Sequence, residues 1–165
     1  MEKTEFEQLL LNTAFCCLAS DGNIDKQEID LIQSIFSNYE QFRDLQLQNK
    51  LNYYIEQYNN LGREFINNYF DILIENSLSF EQEIAIIDIA IKTIQADQII
   101  EYSEIKFFKI IRRNLKVSND EILKLFPEIE MYLEEDIVIE TSFDRLKDQF
   151  FEITEVQKFE SIVLN

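Results

Sequence analysis

The sequence predicts an all-α fold, and three observations carry that expectation. Glycine and proline are nearly absent, with two Gly and one Pro in 165 residues. β folds need many turns with special backbone angles, which these residues supply, so their scarcity points to long helices. Apolar residues recur at three- and four-residue spacing along most of the chain, the period of a helix face. Finally, the stretch from Ala19 to Ile29 returns 76 positions later as Gln95 to Ile105. That offset pairs Asp21 with Asp97, Ile24 with Ile100, Asp25 with Glu101 and Glu28 with Glu104. It also pairs Ala14 with Ala90, Leu18 with Ile94 and Ile35 with Ile111. The expected architecture is a single helical bundle of about seven core helices in two pseudo-repeats. It spans residues 1–127, and an acidic helical extension, residues 128–165, packs on it.

Taken in order, Glu2 to Ser20 reads as the first helix, with Phe6, Leu9, Leu10, Thr13, Ala14 and Cys17 on one face. Cys16 and Cys17 are adjacent on it, so their side chains diverge, and no other Cys exists to pair with them. They are expected to be reduced and apolar in role, with at least Cys17 buried. Ile29, Ile32, Ile35 and Phe36 mark a second helix ending near Asn38. Glu40 to Asn60 reads as a third, with a polar interruption between Gln46 and Lys50, and Gly62 suits its boundary. Arg63 to Asn76 is the fourth. Ser79-Phe80-Glu81-Gln82 is a capping box that opens the fifth, whose Ile84, Ile87, Ala90, Ile91 and Ile94 make an almost wholly apolar face. This fifth helix is expected to be the most buried, beside its repeat mate, the first. Ser103 to Lys116 is the sixth, and Ser118 to Glu121 is a second capping box, opening a short helix that Pro127 ends. Beyond it, Ile137 to Ile139 reads as a short β-like interruption, and Phe143, Leu146 and Phe150 as a helical stripe.

The repeated turns hold the candidate chemistry. Asp21, Asp25 and Glu28 share one tight connection, and Asp97, Glu101 and Glu104 share the other. Helices related by a pseudo-two-fold axis would bring the two turns together. Carboxylates so gathered repel one another, and a hard cation such as Ca²⁺ or Mg²⁺ relieves the repulsion through oxygen ligands. Asp21 through Glu28 matches the second half of a calcium EF-hand loop, but Cys17 and Ala19 occupy its first ligand positions, so neither copy is a complete loop. Two plainer uses of the same acids stand beside this one. Asp25-Lys26-Gln27-Glu28 has the form of a capping box, and carboxylates in a first helical turn favour the helix dipole. The turns also make a surface for a partner.

The doubled pattern of Asp, Ile, acid and Glu between helices resembles the tellurite-resistance TerB-like family. Its most specific part is Ala-x-Asp-Gly-x-Ile-x-x-x-Glu, here Ala19 to Glu28, and the likeness runs from about Phe6 to Phe126. In the second copy Gln98 stands where the first has Gly22. The resemblance implies a helical domain with an acidic, metal-binding centre. It also implies stress-response or membrane-associated protein complexes. Related domains occur in membrane-anchored DjlA-type co-chaperones.

Charge and composition narrow the function. The net charge is −17, from 32 acidic and 15 basic residues, which repels nucleic acid and anionic membranes. Residues 127–165 carry 11 of the acids and three of the bases. Lys106, Lys109, Arg113 and Lys116, with Arg112 nearby, are the one basic cluster and a candidate docking patch for an acidic partner or phosphate. No apolar run reaches membrane-spanning length and the first residues are charged, so a cytoplasmic protein is the expectation. There is no His, which removes the commonest general base and most transition-metal sites. With two glycines there is no phosphate-cradling loop. The expected function is a non-enzymatic binding or scaffolding module of a stress-response system. A metal-dependent hydrolase using the same carboxylates and a purely structural interaction domain are the alternatives.

Overall fold

The computed structural model describes residues 2–21, 26–37, 42, 46–96, 100 and 102–134. All regular structure among them is helical. The eight α-helices are α1 (Lys3–Leu18), α2 (Lys26–Ser37), α3 (Leu47–Leu61), α4 (Arg63–Glu75), α5 (Phe80–Ile94), α6 (Tyr102–Arg113), α7 (Asn119–Leu125) and α8 (Glu130–Leu133). Short 3-10 turns follow α1 at Ala19–Asp21 and precede α8 at Pro127–Ile129.

The most extensive packing is α1 against α5, the repeat mates. The other two repeat helices each pack on both members of this pair. Helix α2 packs on α5 and α1, and α6 packs on α5, on α1 and on the Ala19–Asp21 turn that closes α1. Both α3 and α4 pack on α1 as well, so α1 is enclosed on several sides. Its sequence stripe is therefore too narrow a description. Leu11, Phe15, Cys16 and Leu18 are buried along with the expected face, and Phe6 is half-buried. Helix α1 is thus enclosed at least as fully as α5, contrary to the expectation that α5 would be the most buried. Both cysteines are free and fully buried.

Aromatic rings knit the outer helices to the central pair. Phe15 of α1 meets Tyr54 and Phe65 of α3 and α4, with ring centroids 5.6 and 5.5 Å apart. Phe70 of α4 and Phe107 of α6 lie 5.4 Å apart, and Phe108 of α6 meets Tyr132 of α8 at 5.9 Å. Residues 128–134, the described part of the extension, are therefore anchored on α6. Tilted and edge-on pairs of this kind add to the burial they accompany.

Chain punctuation explains most boundaries. Gly62 joins α3 to α4 at φ 56°, a conformation that a Cβ makes costly, and its N–H donates to the Tyr58 carbonyl at 2.7 Å. Both Ser capping boxes form: Ser79 Oγ accepts from Gln82 N–H, and Ser118 Oγ accepts from Glu121 N–H, each at 3.3 Å. Some boundaries differ from expectation. Helix α6 ends at Arg113, short of Lys116, and α3 starts at Leu47 where a start at Glu40 was expected. Phe42 is instead buried against Phe36, ring centroids 4.6 Å apart. Pro127 does end α7, but it also opens the 3-10 turn that leads into α8. The β-like stretch at Ile137, the stripe of Phe143, Leu146 and Phe150, and the Asp25 cap lie outside the described residues.

Candidate functional site

Helix α1 tightens into a 3-10 turn at Ala19–Asp21, and that turn lies against α6. The packing of this turn on α6 sets the first acidic connection beside the helix that follows the second one. Glu104, in the first turn of α6, is 8% exposed. Its charge lies near enough to Cys17 to help raise that thiol's pKa, although burial is the larger cause. Cys16 is raised as well, first by burial and then by Cys17, so neither thiol supplies a thiolate near neutral pH. Glu28, in the first turn of α2, is half-buried. The backbone places Asp21 in the turn, and nothing is described of its side chain. Asp25, Asp97 and Glu101 lie outside the described residues. Among the described residues no three acids or cysteines gather in a metal-binding group.

Two further oxygen atoms flank these acids. The Oγ atoms of Ser20, next to Asp21, and of Ser103, next to Glu104, are buried and have no hydrogen-bond partner among the described residues, as is also true of an oxygen of Glu7, Asn52 and Asn67. Ser20 itself is 1% exposed. Buried polar atoms are nearly always paired, so two orphans at the two acidic connections call for a water or an ion. Sequence reasoning did not single out either serine. The donor set of carboxylates and hydroxyls suits a hard cation and not zinc.

The basic cluster divides between surface and structure. Lys116 and Arg113 are exposed, Lys109 is half-buried, and the Lys106 ammonium stands 4.7 Å from the Tyr102 ring centroid. Arg112 is withdrawn from the patch. Its Nε donates to Asn119 Oδ1 at 2.8 Å, and one terminal nitrogen reaches the Leu115 carbonyl at 3.4 Å. Burial lowers its pKa, with Glu83 and Glu121 opposing, yet a guanidinium stays charged. Arg112 fastens the α6–α7 connection.

Glu83 fastens the same connection from α5. It is 5% exposed, and its Oε2 accepts from the Lys116 N–H at 2.9 Å and the Val117 N–H at 2.7 Å. Its repeat mate, 76 positions earlier, is Glu7, which is also buried and lies 3.8 Å from the Lys3 ammonium. An acid at the same place in both repeats was the signal that could have found it.

Comparison with protein-family models, curated proteins and solved structures finds no match for this chain.

Proposed function

We propose that this chain is a non-enzymatic protein-binding module whose acidic connections hold a divalent cation, Ca²⁺ or Mg²⁺. The observation that supports it is the pair of orphaned hydroxyls, Ser20 and Ser103, one at each acidic connection. Glu104 and Glu28 supply carboxylates from the described helices, with Asp21, Asp25, Asp97 and Glu101 as the candidate remaining ligands. The ion's role is to offset carboxylate repulsion and fix the junction of the Ala19–Asp21 turn with α6. A junction so fixed presents a defined surface, including the exposed Arg113 of α6 and Lys116 just beyond it, to a partner protein. The TerB-like resemblance agrees with this reading, and under it the module would serve stress-response or membrane-associated complexes from the cytoplasm. Among the described residues no helix is long and apolar enough to cross a membrane.

The test is thermal unfolding with millimolar Ca²⁺, Mg²⁺ or chelator, for the wild type and Glu104→Gln. A ligand that binds the native state raises its stability by mass action. The wild type should melt higher in one of the ions, and Glu104→Gln should lose most of that gain. A wild-type melting point indifferent to both ions would end the cation proposal.

A further inference from the structure

A groove of about 440 Å³ opens where α1 meets the α3–α4 hairpin, away from the acidic turns in sequence and in the elements that form it. Its floor is aromatic: Tyr54, Phe65 and Tyr69 are buried there. The two floor hydroxyls are already engaged. Tyr54 donates to the Gln8 carbonyl at 3.2 Å, and Tyr69 pairs with Thr13 at 3.1 Å. The floor therefore offers ring surface. On the rim, Tyr53 and Ile72 are 51% and 42% exposed, although both are large apolar residues.

The walls carry side-chain amides. Those of Gln8, Gln57 and Asn68 hydrogen-bond to no other described residue. Each offers a donor and an acceptor side by side. The lining has one charged residue, Glu5, in a chain whose net charge is −17. An anionic ligand would meet repulsion here and find no base to offset it.

We propose that this groove binds an extended segment of a partner polypeptide. One apolar side chain sits on the aromatic floor between Tyr53 and Ile72, and a neighbouring Lys or Arg lies against Glu5. In an extended segment one residue's own N–H and C=O face the same side, so together they pair with the acceptor and donor of a free amide, which a carboxylate, an acceptor only, does not. The volume falls within the roughly 300–1,000 Å³ of ordinary ligand sites, and the mix of an apolar floor with a few polar groups is typical of them. The proposal rests on the binding-module reading but not on the cation, since no acidic-turn residue lines the groove.

The experiment selects displayed random heptapeptides on the full chain, then titrates the synthesised winners into ¹⁵N-labelled protein. Selected peptides should share an apolar residue beside a Lys or Arg and lack acids. They should shift the side-chain NH₂ resonances of Gln8, Gln57 and Asn68 saturably. Ile72→Ser, on the exposed rim and so tolerated by the fold, should weaken binding about tenfold. Glu5→Gln removes the charge but keeps the acceptor for the Glu2 N–H, which Glu5 now holds at 3.1 Å. It should weaken binding several-fold and flatten its salt dependence. An empty selection overturns the proposal, as do winners that shift resonances elsewhere or ignore Ile72→Ser. Running the titration in chelator separates the two readings. Binding that persists there while the melting point ignores Ca²⁺ and Mg²⁺ sinks the cation alone. A cation-dependent melting point with no groove binding sinks the groove alone.

Discussion

Glu83 shows how much one buried residue decides. Its carboxylate occupies two backbone N–H groups that no helix can satisfy, because α6 has already ended. Glu83→Ala should cost about 2–4 kcal/mol in urea unfolding, since it strands both donors and deletes charge-assisted bonds. Glu83→Gln retains an acceptor oxygen and should cost less than half as much. Equal losses in the two variants would mean that charge, not the two bonds, fixes the connection. The periodicity that located the apolar face of α5 had no place for an acid on it, so only the repeat, through Glu7, marked this residue. The cysteines were easier to anticipate. Small apolar side chains on a helical stripe are buried wherever the helix goes, and both thiols are. Labelling them with a maleimide near pH 8 should be limited by unfolding, because burial removes access and raises their pKa. Fast labelling in the native protein would contradict the enclosure of α1.

At the scale of elements, helix starts were well marked in the sequence where Ser was followed three residues later by Gln or Glu. Ser79 and Ser118 both cap as their sequences imply. The start of α3 was obscure because no cap of the Ser kind marks it: the Gln46 side chain accepts from the Asn49 side chain at 2.6 Å and not from a backbone N–H of the first turn. The capping boxes make a pH prediction. The Ser118 hydroxyl and then its backbone N–H hold Glu121 below the usual carboxylate range, and a backbone bond and then Ser79 do the same for Glu81. A carboxylate whose folded pKa is depressed stabilises the fold above its ordinary pKa and loses that contribution as pH falls through the lowered one. The melting point should therefore drop below about pH 4.5. Ser118→Ala should lower stability by about 1 kcal/mol at neutral pH and shrink the acid-limb drop. An unchanged acid limb in that variant would remove Glu121 from the explanation.

For the whole molecule, the all-α class and the pairing of α1 with α5 were legible because a repeat of apolar positions carries its own packing partner. The acidic turns were legible as residues. Their placement was not, because periodicity says which way a helix faces and not which helix it meets. The direct packing of the Ala19–Asp21 turn on α6 supplies that placement. The groove beneath α1 was illegible for a similar reason. Gln8, Gln57 and Asn68 come from three helices and share no motif. The central pair should also dominate stability. Ile87 of α5 is fully buried, so Ile87→Ala should cost about 2–5 kcal/mol, and a loss below 1 kcal/mol would contradict its enclosure. The central functional claim is that the two acidic connections form one cation site. Mn²⁺ tests it most directly, because it takes oxygen ligands as Mg²⁺ does and broadens nearby NMR signals. At substoichiometric Mn²⁺, amides of Ala19–Asp21 and of the first turn of α6 around Glu104 should broaden together, and excess Mg²⁺ or Ca²⁺ should restore both. Broadening of one connection without the other, or broadening spread evenly over the acidic surface, would contradict a shared site.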